Sequence, residues 1–205
     1  MKIIILAASG ATGRELTQQA LERGHTVVAI VRDPARADFP VTLGLTVVKA
    51  DVYEEDAIAL ALGENAIVLS GLGATERDKV GVLSTGARAV IAARPQRILW
   101  LGAYGTGVSA AAAGWATRAA LSLMGPRLND KVTADTTILA AGGTVFHAGP
   151  LSNGAVSSSR RTVGVESAPR RFFPARVSRA TVAAAMLDEA ESPRFRKLTA
   201  VPLER

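Results

Sequence analysis

Residues 7–13 read Ala-Ala-Ser-Gly-Ala-Thr-Gly and follow an apolar run, Ile3 to Ala7. A short apolar run bounded by small residues fits a parallel strand buried on both faces. The turn has the spacing G-x-x-G-x-x-G with alanine in its first place. Gly10 lets the backbone approach a ligand closely, and Gly13 lets the next helix pack tightly on the strand. Leu16, Ala20 and Leu21 give that helix an apolar face, and Gly24 is placed to stop it. The amides of Gly10, Ala11, Thr12 and Gly13 then open a helix and point, with its dipole, at an anion. Ser9 flanks them and Arg14 adds charge. Strand, glycine turn, helix and a second strand over Thr26 to Val31 together form the unit that binds the pyrophosphate of a dinucleotide.

The tip of the second strand discriminates between the two nicotinamide cofactors. An acid there bonds the ribose 2′-hydroxyl of NAD, and an arginine accommodates the 2′-phosphate of NADP. Arg32 follows the strand directly, so NADP is favoured. Asp33 beside it keeps NAD open.

With 205 residues, 48% of them hydrophobic, the chain can bury one sizeable core. It holds no cysteine, which excludes disulfides, thiolate metal sites and cysteine nucleophiles. The two histidines, His25 and His147, are far apart and lack acid spacing, so no metal site is expected. His25, at a helix-to-strand corner, reads as structural. The first apolar run is too short for a signal peptide or a membrane span, and a cytoplasmic protein is expected. The net charge of +6 comes mainly from arginines scattered along the chain, without a DNA-reading motif. An anionic small molecule accounts for them better than nucleic acid. A monomer or homodimer is expected.

Strands and helices alternate to the end of the chain. Further strands are read at Leu45–Ala50, Ala66–Ser70, Arg97–Leu101 and Thr144–Ala148. Helices are read at Tyr53–Leu62, 79–94, Asn129–Ala141 and Arg179–Ala190. Beyond residue 154 the spacing changes, with short strands at 160–165 and 195–201. Between them a basic stretch, Arg170 to Arg179, holds Phe172, Phe173 and Pro174. Three strands exit into glycine turns, at Gly71-Leu72-Gly73, Gly102 to Gly107, and Gly149-Pro150. Ligands of open α/β sheets lie beyond such exits. Residues 109–124 are alanine-rich and amphipathic, a lid or a helix over the pocket. Asp51, at a strand tip, serves either an adenine amine or as a helix cap.

GATGRELTQQALERGHTVVAIVRDP, KADVYEEDAIALAL, AIVLSGLGA, DKVTADTTILAAGGTVFHAGPLSNG and RVSRATVAAAMLDEAE together resemble the atypical short-chain dehydrogenase/reductases. More narrowly they resemble the NAD(P)-binding group of NmrA-like proteins and the small biliverdin-IXβ/flavin reductases. The resemblance implies an α/β, Rossmann-like, doubly wound parallel sheet in three α/β/α layers, with a small C-terminal appendage on the substrate side. It implies a single NAD(P)-binding domain over residues 1–205, with 103–128 and 150–178 as substrate-side loops. It carries phosphate contacts to Gly10, Ala11, Thr12, Gly13 and Arg14, and the 2′-phosphate to Arg32. Adenine falls to Asp51, cofactor backbone contacts to Ser70, Gly71 and Leu72, and the nicotinamide end to Pro150 and Leu151; Gly102 and Lys131 are further candidate cofactor contacts.

The departures bear on the chemistry. The Tyr-x-x-x-Lys pair of active short-chain dehydrogenases is absent: four residues after Tyr53 stands Ala57, and four after Tyr104 stands Val108. Gly102 and Ala103 stand where the usual serine would be. Hydride transfer needs little more than positioning if the acceptor is already electrophilic. The expectation is therefore an NADPH-dependent oxidoreductase acting on a small acceptor such as a flavin or quinone. The alternative is a non-catalytic NAD(P)-binding redox sensor of NmrA type. Lys131 and Tyr104 are the candidate catalytic residues. Lys131 holds nicotinamide ribose or an acidic substrate, or else pairs with Asp135 one turn on. Tyr104 stacks on substrate or donates a proton, or else is a loop aromatic. His147 reads as a satisfied core or rim histidine, and Trp115 as a core or interface residue.

Overall fold

The computed structural model describes residues 1–63, 65–76, 78–169 and 173–204. Arg170 and Phe172 of the expected basic stretch lie outside the described residues. The strands are β1 (Lys2–Leu6), β2 (Thr26–Val31), β3 (Leu45–Lys49), β4 (Ile67–Ser70), β5 (Arg97–Ala103), β6 (Thr144–Ala148), β7 (Leu151–Ser152), β8 (Arg161–Gly164), β9 (Val177–Ser178) and β10 (Thr199–Leu203). The α-helices are α1 (Ala11–Glu22), α2 (Pro34–Ala37), α3 (Glu55–Leu62), α4 (Val82–Ala92), α5 (Trp115–Ser122), α6 (Pro126–Ala140) and α7 (Arg179–Glu191). Eight strands form one sheet in the order β3-β2-β1-β4-β5-β6-β10-β8, parallel but for β8. This is the Rossmann-like α/β sheet expected.

Alternation along β1 explains the layers. Ile3 and Ile5 join a core with Leu16 and Ala20 of α1 and Val182 and Met186 of α7. Ile4 and Leu6 face the opposite core, with Ile58 of α3, Leu83 and Val90 of α4, and Ile138 of α6. Side chains on a strand point alternately to the two faces, so one continuous apolar run serves both. Each fully buried aliphatic side chain contributes about 1.5–3 kcal/mol. α1 and α7 are further tied by Gln19 Nε2 donating to the Ala180 carbonyl at 3.0 Å and by Arg23 paired with Asp188 at 3.0 Å.

Several boundaries differ from expectation. α4 starts at Val82 because Gly81 turns the chain at φ 99°. α6 starts earlier than Asn129, with Pro126 in its first turn, where a missing amide costs nothing. The 109–124 stretch is not one helix: a 3₁₀ turn spans Gly107–Ser109, and α5 follows only from Trp115. The last strand starts at Thr199, after Lys197 at φ 60°, and pairs antiparallel with β8. β7 and β9, two residues each, form a separate parallel pair beside the exit of β6. Among the described residues, no helix is long and apolar enough to cross a membrane.

Candidate dinucleotide cleft

Winding reverses between β1 and β4, and a cleft of about 510 Å³ opens at the carboxyl ends of the strands there. Crevices at such reversals are where open α/β sheets take ligands, and the size suits a small molecule. Of the residues expected at the site, the cleft brings together Ser9, Gly10, Ala11, Thr12, Arg32, Gly71, Leu72, Gly102, Lys131 and Leu151.

At the glycine turn, Ala7 sits at φ 57°, the left-handed conformation that favours glycine in the motif's first place. The Gly10 amide donates back to Ala7, and the first helical bond of α1 runs from Arg14 N to Gly10 O at 2.8 Å. The amides of Ala11, Thr12 and Gly13 precede that bond, and no side chain caps them. Gly13 itself does not line the cleft. A Cβ there would stand 2.2 Å from the Ala7 carbonyl oxygen, so its role is the contact of helix with strand. A Cβ on Gly71 would stand 3.1 Å from Gly13 N. Arg14 turns away from the cleft. Its guanidinium donates to the carbonyls of Ser9 and Ala37 and lies over Phe39.

Asp51 and Ser70 do local work as well. Asp51 Oδ1 accepts from Tyr53 N at 3.1 Å, in a turn ahead of the Glu54 N-cap of α3, so it does not cap the helix as the sequence offered. Ser70 is fully buried, and its Oγ accepts from Leu72 N at 3.2 Å, shaping the β4 exit. At the tip of β2, Arg32 is 64% exposed and forms an ion pair with Asp78 at 2.7 Å. Asp78 Oδ2 also accepts from Thr75 N and Thr75 Oγ1. Burial pushes the Asp78 carboxyl up, but the Thr75 bonds and Arg32 outweigh it and hold it below the usual carboxylate value. Sequence reading missed Asp78, because no local signal marks a partner 46 residues from Arg32.

At the β5 and β6 exits the cleft is lined by Gly102, Ala103, Ala148, Gly149, Leu151, Lys131 and Arg179. Lys131 is half-buried and, among the described residues, has no hydrogen-bond or ion-pair partner. Burial pushes its amine below the ordinary lysine value, against the pull of Asp135 and Asp130. The surface pair with Asp135 does not form. Asp135 is 3% exposed, and its Oδ2 lies 3.1 Å from His147 Nε2, whose Nδ1 lies 2.6 Å from Ser109 Oγ. A Cβ on Gly102 would stand 2.7 Å from Asp135 Oδ2 and 2.7 Å from His147 Cδ2, so this buried pair fills the space behind Gly102.

Tyr104 departs from the catalytic expectation. It is 7% exposed, its hydroxyl donates to the Ala112 carbonyl at 3.0 Å, and it lines a separate cavity of about 20 Å³. Burial raises its phenol above the ordinary value. Pro150 stays outside the cleft, where its carbonyl accepts from Val177 N. Trp115, 66% exposed, does not line it either. Arg179, which sequence reading also missed as a site residue, carried one signal. It is a cation in the first turn of a helix, where the dipole disfavours it.

Three uncapped amides, a glycine turn without side chains over them and an exposed guanidinium fit a dinucleotide. The comparisons agree. A family model described as NAD(P)H-binding matches residues 7–193. The anaerobillin reductase ChuY of Escherichia coli superposes with a TM-score of 0.77 at 19% identity, over 100% of this chain and 97% of that one. A candidate NADH-flavin reductase of Streptococcus pneumoniae gives 0.77 at 21% identity, over 100% of both chains. Such identities establish a shared fold. Photosystem II assembly factor Ycf39 of Synechocystis is 28% identical over 82 residues, which is 40% of this chain but only 25% of that protein's length.

Proposed function

Since the chain belongs to the NAD(P)H-binding family, whose model spans residues 7–193, we propose that it is an NADPH-dependent oxidoreductase for a small electrophilic acceptor such as a flavin or quinone. A bound nicotinamide supplies the hydride. What supports this reading is the cleft, which runs from the uncapped amides of α1 to the β5 and β6 exits without a tyrosine among its described lining residues. The protein's part is then to bind, orient and exclude water.

In this reading Ala11 and Thr12, which line the cleft, give amide hydrogens to the diphosphate. Arg32 spends one nitrogen on Asp78 and keeps others for a 2′-phosphate, since a guanidinium has five donors. Lys131, half-buried and lining the same cleft as Gly102, holds a ribose hydroxyl or an acidic group of the acceptor. With Tyr104 turned to Ala112, the balancing proton comes from Lys131 or solvent, which suits acceptors that protonate readily.

The test is a titration with NADPH and NADH, followed by mixing the NADPH complex with FMN, riboflavin and menadione while the nicotinamide absorbance is recorded. Tight NADPH binding with oxidation above background is expected. Binding without oxidation by any acceptor would move the protein to the redox-sensor reading suggested by the missing Tyr-Lys pair. Absence of binding to either cofactor would sink both.

A further inference from the structure

Arg179 is a charge in the cleft that the cofactor reading leaves unused. It is the first residue of α7, directly after the N-cap Ser178. A cation at a helix N-terminus works against the helix dipole. A counter-charge at the cleft would offset that dipole cost. Arg179 is half-buried, and its Nη1 donates to Asn153 Oδ1 at 2.6 Å. A neutral amide orients a guanidinium without neutralising it. No carboxylate among the described residues pairs with it, whereas Arg23, Arg32, Arg97 and Arg160 each have an acid. The acid at this helix end, Glu204, accepts instead from Ser178 N and Ser178 Oγ, at 2.9 and 2.7 Å.

Its surroundings leave room for a ligand. Gly149 and Leu151 line the cleft with it, and Lys131 lines the same cleft. The uncapped amides of α1 follow β1, and in the sheet β4 and β5 stand between β1 and β6. A dinucleotide phosphate seated on those amides leaves the β6 exit to whatever meets the nicotinamide.

We propose that Arg179, held by Asn153, forms an oxyanion subsite at the β6 end of the cleft that takes a phosphate or carboxylate. The anion belongs to the acceptor or to the cofactor's own diphosphate, and the chemistry of recognition is the same in both: a fixed guanidinium fork on paired oxygens. The inference rests on the oxidoreductase reading and makes it more specific: where the anion is the acceptor's, the subsite selects anionic acceptors.

The experiment compares wild type, Arg179→Gln, Arg179→Lys and Asn153→Ala. Calorimetry measures NADPH binding, and FMN against riboflavin, which differ by one phosphate. The flavins are titrated into free protein and into protein saturated with NADP⁺, so the subsite is read whether or not the cofactor binds. Wild type is expected to prefer FMN by tenfold or more. Arg179→Gln removes that preference and leaves riboflavin and NADPH binding unchanged, while Arg179→Lys and Asn153→Ala lose it in part. A tenfold weaker NADPH complex in Arg179→Gln, with the flavin ratio unaltered, assigns the subsite to the cofactor phosphate. No change in NADPH affinity and no loss of FMN preference, at an unchanged melting temperature, overturns the proposal. A wild type that binds no NADPH fails the oxidoreductase reading alone.

Discussion

Arg32 Nη1 lies 2.7 Å from Asp78 Oδ1, joining the tip of the second strand to a loop 46 residues further on. Arg127 secures that loop by donating to the carbonyls of Thr75, Glu76 and Asp78. A 2′-phosphate placed here shares Arg32 with a carboxylate that repels it. Arg32→Glu should therefore lower the NADPH-over-NADH preference roughly tenfold or more, the value of one charged hydrogen bond. Asp78→Asn should raise it severalfold. Binding titrations with both cofactors check this, and an unaltered ratio in Arg32→Glu would remove the arginine from the 2′-phosphate.

Gly10 and Gly13 should part company on substitution. A Cβ at Gly13 would stand 2.2 Å from a backbone oxygen and 2.7 Å from Ala8 Cα, neither of which can swing aside. Gly13→Ala should cost about 3 kcal/mol of stability or more. Gly13→Val should unfold the chain. At Gly10 the nearest atom to a Cβ is 3.3 Å away, and φ is −70°. Gly10→Ala should keep the fold within about 1 kcal/mol and weaken NADPH roughly tenfold by crowding the amides. Urea melts alongside cofactor titrations separate the two effects.

Gly102→Ala should be destabilising although it only adds a methyl group at the cleft wall. The new carbon would meet Asp135 Oδ2 and His147 Cδ2, each at 2.7 Å. Pushing apart a buried polar pair costs about 2 kcal/mol, or about 4–8 °C in Tm. A melting temperature equal to wild type would mean that the pair does not occupy that space.

Tyr104→Phe should leave NADPH turnover unchanged. The lost bond to the Ala112 carbonyl should cost about 1 kcal/mol in denaturant melts. A tenfold fall in kcat would place the hydroxyl at the acceptor after all.

Acid stability should depend on Asp130. This residue is 7% exposed and accepts from Leu83 N and Ser84 N at 3.1 and 3.0 Å, capping α4 from another helix. Burial pushes its carboxyl up, but the bonds from Ser84, Leu83 and Gly81 outweigh it and leave it below the ordinary value. Asp78 is depressed as well. A folded value below the unfolded one makes the contribution whole above the ordinary carboxylate pKa near 3.9, and lost as pH falls through the depressed value. Wild type should lose stability from about pH 5 downward. Asp130→Asn should lose about 2 kcal/mol at pH 7 and show a shallower acid slope. Parallel slopes for the two proteins would exclude this linkage.

Much of the fold was legible because its signals are local. The apolar run Ile3–Leu6, the glycine turn and the alternation of strand with helix each reflect nearest-neighbour backbone preference and burial. Ala7 at a left-handed φ shows the limit: spacing located the turn, but not that alanine accepts the conformation. β7 and β9 carry too few residues for any periodicity, so pattern reading passed over them.

The sequence by itself determined a parallel α/β sheet with a dinucleotide turn after its first strand, since chain-local sterics and hydrophobic period suffice for that. Tertiary structure alone decided which charged and polar groups meet. It turned Tyr104 and Arg14 away from the cleft, set Asp78 on Arg32, buried Asp135 with His147 behind Gly102, and left Arg179 lining the cleft without an acid among the described residues. Those outcomes depend on contacts between residues dozens of positions apart, where desolvation and available partners, and not local propensity, fix the position of each side chain.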